Sequence, residues 1–347
     1  MTELVPFLSA QTALANVTGT FLAIANDPLA LQDTHDALSS TFLFATILAI
    51  LTLILSEITG HLSYVDKLWS VLPPSYVIYF TIRATLEDYG HVHPRLALMS
   101  LVTIVWGARL TFNFARRGGY SLTEEDYRWP WLRARFHPLL LRLLNWTFVA
   151  TFQHYLLYFL ALPAFFAYQT RHLNPHINTL DVFSATLFLT LVVIETVADE
   201  QQYIFQTEKY RLKDSGRALT GDYKAGDSNL KLQLTSRQRG FSTTGLFRYS
   251  RHPNFFCEMS IWWTFYLFSI SALWTHHGFI PDSPAHGFRH GGILNWSAIG
   301  VLLLTLVFQG STPLTEYISS QKYPAYLQYQ KTTSRIIPWF SSKSKDE

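Results

Sequence analysis

The chemistry in this 347-residue chain is concentrated after Asp199. Residues 199 to 253 form its longest polar stretch, rich in Lys and Arg, and lead into Gly245-Leu246-Phe247-Arg248-Tyr249-Ser250-Arg251-His252-Pro253-Asn254-Phe255-Phe256. An apolar run follows at once, so Pro253 stands where a helix would begin. Two Arg, a His and an Asn at a helix start make an anion site, because the unpaired N–H groups and the helix dipole there point toward a phosphate. Arg can grip phosphate through two parallel bonds. The same residues could instead attract lipid headgroups at a membrane surface. Asn254 and Glu258, four apart on one face of a helix entering a membrane, go beyond what headgroup attraction requires.

A second set of candidates lies inside or at the edge of apolar blocks: Glu57, Arg83, Arg109, His154 and Glu195, with Asp66 at a boundary. A charge in a membrane span is a functional candidate by default, although each could also be an internal salt bridge or a snorkelling side chain. For substrate-side chemistry the order is Asp66, Glu195, then Tyr64. Gln153-His154-Tyr155 with Tyr158 adds a polar stripe to an otherwise apolar helix. The single Cys257 excludes a disulfide framework and a thiolate zinc site. The 13 His are scattered, with His276-His277 and His286/His290 in one loop, and no metal is expected.

The elements that must position these residues are membrane helices. With 49% hydrophobic, 16% aromatic and only 15% charged residues, against roughly 25% charged in a soluble domain, the chain has too little polar surface for a globule in water. Seven apolar blocks approach the length needed to cross hydrocarbon: Leu38 to Ile58, Leu68 to Leu86, Leu96 to Ala115, Asn145 to Tyr168, Leu180 to Ala198, Asn254 to Trp274 and Trp296 to Gln309. The second is interrupted by Pro73, Pro74 and Arg83 and reads as a kinked, protein-packed helix. Residues 4 to 25 are mildly apolar but fit neither a signal peptide nor a clear span.

Basic residues crowd 116 to 142, 209 to 251 and the tail after Lys322, while the alternating loops carry only Arg95, Arg171 and Arg289. Short cytoplasmic loops hold the Lys and Arg, so a seven-span, all-α bundle with a lumenal N-terminus and a cytosolic C-terminus is expected. Asn16-Val17-Thr18 is an N-glycosylation pattern on the lumenal side. Lys343-Ser344-Lys345-Asp346-Glu347 resembles a dilysine retrieval signal, which points to the endoplasmic reticulum. Residues 118 to 142, ending in the Leu139 to Leu144 run, fit an interfacial helix or a lid, and the loop 275 to 295 reads as irregular. The chain divides into a segment 1–37, substrate-side helices 38–198, a cofactor-binding region 199–340 and a tail 341–347.

The string Arg251-His252-Pro253-Asn254-Phe255, with Glu258, resembles the C-terminal cofactor-binding region of the steroid 5α-reductase superfamily, and the chain as a whole is most similar to its DUF1295 branch. Further matching stretches are Ser63-Tyr64-Val65-Asp66-Lys67-Leu68-Trp69-Ser70, Trp106-Gly107-Ala108-Arg109-Leu110 with Asn113 and Arg116-Arg117-Gly118-Gly119-Tyr120, Glu195 with Asp199-Glu200-Gln201-Gln202, and Tyr323-Pro324-Ala325-Tyr326 with Tyr329 and Arg335-Ile336-Ile337-Pro338. The resemblance implies a membrane reductase that binds NADPH in its later helices and encloses a sterol- or lipid-like enone in its earlier ones. In such an enzyme the cofactor supplies the hydride chemistry and the protein supplies orientation and electrostatics. It further implies that Arg248, Arg251, His252 and Asn254 hold phosphates and ribose, with Glu258 near the nicotinamide amide. Gln202, Lys209, Tyr323, Tyr326 and Arg335 follow as cofactor candidates, and Tyr155 or Tyr64 as donor to the substrate carbonyl.

This chain departs from the steroid reductases where they carry an Asn and an Asp before the cytosolic loop: Ala198 and Gln202 align there, with Asp199 displaced by one. Their early catalytic Glu and Tyr have no aligned motif here. Integral membrane methyltransferases of the isoprenylcysteine and phospholipid type carry Arg-His-Pro-x-Tyr before a helix and a later Glu-Glu pair followed by Tyr-x-x-Tyr, and they bind S-adenosylmethionine; here only one acid, Glu316, stands before Tyr323, while Asn254 and Glu258 follow the reductase pattern. A lipid- or sterol-binding protein without turnover is the third reading. The expected partners are a hydrophobic small molecule and membrane lipids, with no nucleic acid.

Overall fold

The structure, a computed structural model, describes residues 10–27, 36–126, 128–214, 240–275, 278–279 and 293–341. The dilysine-like tail, the basic residues between 215 and 239, and His276, His277, His286 and His290 lie outside the described residues. The protein is mostly helical. Among the described residues, five segments are long and apolar enough to cross a membrane: Ala37–Thr59, Pro94–Arg116, Pro138–Gln169, Thr179–Arg211 and Trp296–Lys322.

Local sequence explains their limits. Helix α2, after α1 (Ala10–Asn26), runs Ala37–Thr59; Asp36 caps its start by accepting from Ser39 N, and Gly60, at φ 75°, closes its end. A side-chain oxygen satisfies a first-turn N–H, and a glycine adopts the left-handed closing conformation without a Cβ penalty. Phe44, Ile47, Ile50, Leu51, Ile54, Leu55 and Ile58 are exposed along α2, as suits a surface solvated by lipid. Asn16 lies within α1 rather than in a loop.

The block around Pro73 is built differently from a kinked span. A short α3 (Tyr64–Leu68) is followed by a turn and by α4 (Leu72–Glu87), whose first turn contains both prolines. Proline is pre-shaped for a helix start, where its missing N–H has no partner to lose. The helix that results has 16 residues and is not one of the five. Helix α5 spans Pro94–Arg116. Residues 118 to 142 form no single interfacial helix: they contain α6 (Arg128–Arg133) and α7 (Pro138–Leu144). The latter runs into a π-helical turn over Asn145–Phe152, α8 (Gln153–Leu160) and α9 (Leu162–Gln169). Then come α10 (Thr179–Asp214), α11 (Pro253–Leu273), a short hairpin of β1 (Trp274–Thr275) and β2 (Gly278–Phe279), α12 (Ile299–Lys322) and α13 (Tyr326–Thr332). Helix α11, the sixth apolar block, is 21 residues long but carries Asn254, Glu258, two Trp and three Ser and is also not among the five.

The chain divides into two compact units, Met1–Leu189 with Trp262–Leu304, and Thr190–Ile261 with Thr305–Glu347. The first has an aromatic core that includes Tyr76, Phe80, Trp106, Phe165, Phe188, Trp262 and Phe265, all buried. Trp106 meets Trp262 edge to face at 4.9 Å. Gly107 lets α5 approach the turn before α4, since a Cβ there would lie 2.5 Å from the Ser70 carbonyl oxygen. Arg95 is a structural charge: its Nε donates to both Asp181 oxygens at 3.0 Å, and its other nitrogens donate to the carbonyls of Asn174 and His176 at 2.6 and 2.7 Å. Glu57 and Arg83 are likewise paired, with Arg142 and Glu87.

Candidate functional site

In the second unit, Gly245 adopts φ 61° and opens a 3-10 turn over Gly245–Arg248. A Cβ at Gly245 would collide with the Gln201 side chain at 2.4 Å, and Gln201 Oε1 accepts from Leu246 N at 2.9 Å. Helix α10 thereby seats the segment that carries the Arg-His-Pro string. Helix α11 begins at Pro253, as expected, so Asn254 and Glu258 share a face; Glu258 is buried and Asn254 half-buried.

The hub is Glu316. Its Oε1 accepts from Arg251 Nε at 2.6 Å, from Tyr326 OH at 3.4 Å and from His252 Nε2 at 3.1 Å, which places a proton on that nitrogen. Its Oε2 accepts from Arg251 Nη2 at 3.1 Å and Gln330 Nε2 at 3.0 Å. The remaining guanidinium nitrogen, Nη1, donates to the carbonyls of Gln330, at 2.9 Å, and Thr333. Both side chains are 8% exposed, so the bidentate pair is shielded from water, with four of the five guanidinium N–H groups donated. The anion that Arg251 and His252 hold is therefore the protein's own carboxylate.

The C-terminal segment fixes this arrangement. Arg251 N donates to Ser334 O at 2.9 Å, Trp339 N to Tyr249 O at 2.8 Å, and Ser250 Oγ to Ile336 O at 2.7 Å. Tyr329 donates its hydroxyl to the Phe247 carbonyl, and its ring stacks on Phe241 at 5.4 Å. Burial pushes the Tyr326 and Tyr329 phenols well above the ordinary range, so both remain donors.

The other cofactor candidates lie in the same unit. Lys209 is buried, its Nζ donating to Gly240 O at 3.3 Å and Tyr323 OH at 3.4 Å. The rings of Phe205, Tyr210 and Tyr323 lie within 5.6 Å of it. Gly240, at φ 83°, makes room for Tyr323, whose ring would stand 2.1 Å from a Cβ. Arg248 and Arg335 are exposed, and Arg335 donates to Gln309 Oε1. Gln202 is half-buried, and its Oε1 has no hydrogen-bond partner among the described residues. Glu195 is buried in this unit too. Glu316 is the site residue the expected list omitted; an acid near the end of an apolar helix, with a Tyr-x-x-Tyr after it, was its available signal.

Asp66 and Tyr64 belong to the first unit. Asp66 lines a cavity of about 310 Å³ together with Ser63, Lys67, Trp69, Phe114 and Arg117. Burial pushes its carboxyl above the usual carboxylate range, against a hydrogen bond from Ser63 that lowers it. Tyr64 instead donates its hydroxyl to Thr59 Oγ1 at 3.0 Å, and Tyr155 shares a 3.2 Å hydrogen bond with Thr46. Among the described residues no group of three metal-ligating side chains converges.

The sequence matches the family model described as "Protein of unknown function (DUF1295)" over residues 52–333. The chain belongs to the DUF1295 family. It is also 34% identical over 280 residues to "Uncharacterized protein C594.04c" of Schizosaccharomyces pombe, a match covering 81% of this chain and 73% of that protein. No solved structure matches it. The family match takes in the Asp66 cavity and the Glu316 hub.

Proposed function

We propose that this DUF1295 protein is a membrane-embedded NADPH-dependent reductase acting on the carbon–carbon double bond of a sterol- or lipid-like enone. The observation that carries the reading is the common location of its cofactor candidates: Arg248, Arg251, His252, Asn254, Glu258, Gln202, Lys209, Tyr323, Tyr326 and Arg335 all fall in the Thr190–Ile261 and Thr305–Glu347 unit. The donor set suits a dinucleotide. Arg248 and Arg335 are exposed cations for phosphate, and the unpartnered Gln202 Oε1 is an acceptor for an amide or hydroxyl. When bound, NADPH supplies the hydride.

The chain's own residues then divide the work. Arg251, His252 and Glu316 brace the start of α11, which orients Asn254 and Glu258 on one face. Asp66, Glu195 and Tyr64 are the substrate-side residues of this reading. Seven spans, a lumenal N-terminus, a cytosolic C-terminus and residence in the endoplasmic reticulum belong to the same proposal, supported by the positions of Lys and Arg along the sequence.

A specific observation favours one rival. Glu316, the single acid where the methyltransferase pattern has a Glu-Glu pair, joins the Arg-His pair to Tyr326 of the Tyr-x-x-Tyr, an arrangement that would suit S-adenosylmethionine. Thermal unfolding of the detergent-purified protein with NADPH, NADH and S-adenosylmethionine separates the two, because a ligand that binds only the folded state raises apparent stability. Stabilisation by NADPH that Arg248→Ala weakens is the expected result; stabilisation by S-adenosylmethionine alone would replace the reductase with a methyltransferase.

A further inference from the structure

The cavity beside Asp66, a residue the proposed reductase assigns to its substrate side, lies outside the nucleotide candidates, and only part of its charge is matched by ion pairs. Two of its acids are neutralised within the protein. Asp126 accepts from Arg128 Nε at 2.7 Å and Nη2 at 3.1 Å, and Glu125 is held by Arg133. Lys67, by contrast, donates to main-chain carbonyls, those of Gly119 at 2.8 Å and Glu124 at 3.5 Å. Arg117 donates only its Nε, to the Asn113 carbonyl at 3.1 Å. Neither cation, nor Asp66, forms an ion pair among the described residues. The cavity thus holds two cations, Lys67 and Arg117, and two carboxylates, Asp66 and the exposed Glu124, that form no ion pair among the described residues, with the aromatic rings of Trp69 and Phe114 in its wall.

We propose that this cavity binds a zwitterionic phosphate headgroup, with the phosphate on Lys67 and Arg117 and the ammonium on Asp66. Each part answers a group left unmatched. Arg117 keeps both terminal guanidinium nitrogens for two parallel bonds to phosphate, and Lys67 keeps an ammonium proton beyond those donated to Gly119 and Glu124. An ammonium relieves the cost of a half-buried carboxylate without a counter-charge, and aromatic faces attract it further. The volume, about 310 Å³, is at the lower end of ligand pockets and suits a headgroup whose acyl chains extend outside. A purely anionic headgroup leaves Asp66 facing a negative charge, and a purely cationic one leaves Lys67 and Arg117 unmatched.

The test is lipid retention by the full-length protein in detergent, read by native mass spectrometry. Phosphatidylethanolamine and phosphatidylglycerol are added in turn, with phosphoethanolamine as soluble competitor. The expected result is retention of phosphatidylethanolamine about tenfold above phosphatidylglycerol, falling by about tenfold in Arg117→Gln and in Asp66→Asn. Arg117 is exposed, so its variant keeps the wild-type unfolding temperature and separates loss of the site from loss of the fold. Displacement of the lipid by equimolar phosphoethanolamine supports the same site with a free headgroup compound as its ligand. Equal retention of the two lipids, or retention unchanged in both variants, overturns the proposal. Neither outcome bears on NADPH binding, so the two readings fail separately.

Discussion

Glu316 receives five hydrogen bonds from its own chain, whereas Asp66, in the other unit, has a single hydrogen bond, from Ser63, and feels Lys67 and Arg128 only through space. Both acids neighbour cations. Around Glu316 the cation closes onto the carboxylate and the remaining donors fill its lone pairs, which is what a buried charge requires to be tolerated. Around Asp66 the cations turn to main-chain carbonyls and the acid is left beside a cavity. The difference teaches that the basic Arg251, the most suggestive residue by sequence, is a brace, while less conspicuous charges keep their valence for something outside the protein.

Breaking the closed network has the largest expected effect. Arg251→Ala leaves the Glu316 carboxylate buried and uncompensated, which costs about 3–5 kcal/mol, read as a collapse of the unfolding temperature with or without nucleotide. Loss of nucleotide binding with unchanged stability would instead make Arg251 a ligand. Gly240→Ala comes next: a side chain at φ 83° against the Tyr323 ring costs about 1–3 kcal/mol from backbone strain before any clash is added, measured in the same unfolding assay. A smaller, selective effect is expected from Arg248→Ala, which on the proposed reductase reading removes a charge-assisted bond to phosphate worth about 1.5–3 kcal/mol and would so weaken NADPH by roughly tenfold or more at unaltered unfolding temperature.

The smallest effect sharpens the open side of the comparison. Because burial raises the Asp66 pKa above its unfolded value near 3.8, the folded protein keeps a proton that the unfolded chain releases. Stability from this group therefore declines as pH rises from about 3.8 through the raised folded pKa. Asp66→Asn flattens that part of the unfolding profile; an identical slope in the variant would show that burial does not govern the group.

Much of the membrane architecture was legible because its signals are local. The block Leu38 to Ile58 returned as Ala37–Thr59 and Leu96 to Ala115 as Pro94–Arg116, since apolar length and caps lie within the segment itself. Pro73 and Pro74 misled because proline interrupts an apolar run and opens a helix equally well, and only the neighbouring turn decides. The phosphate grip expected of Arg251 and His252 could not be weighed against Glu316 by spacing alone. Their partnerships span 65 and 64 residues, and nothing in the intervening sequence marks them. The Asp66 cavity was half legible: its acid stood out at a membrane boundary, but the unmatched state of Lys67 and Arg117 depends on where Gly119 and Asn113 turn their carbonyls.

The strap from Ser334 to Trp339 across Tyr249, Ser250 and Arg251 sets a schedule for synthesis. Every partner that neutralises or straps Arg251 lies at least 65 residues later in the chain. While the ribosome is still making α12, this guanidinium has no carboxylate to meet. The centre therefore closes only after residue 316 has been made, and a chain stopped before it carries Arg251 without its carboxylate.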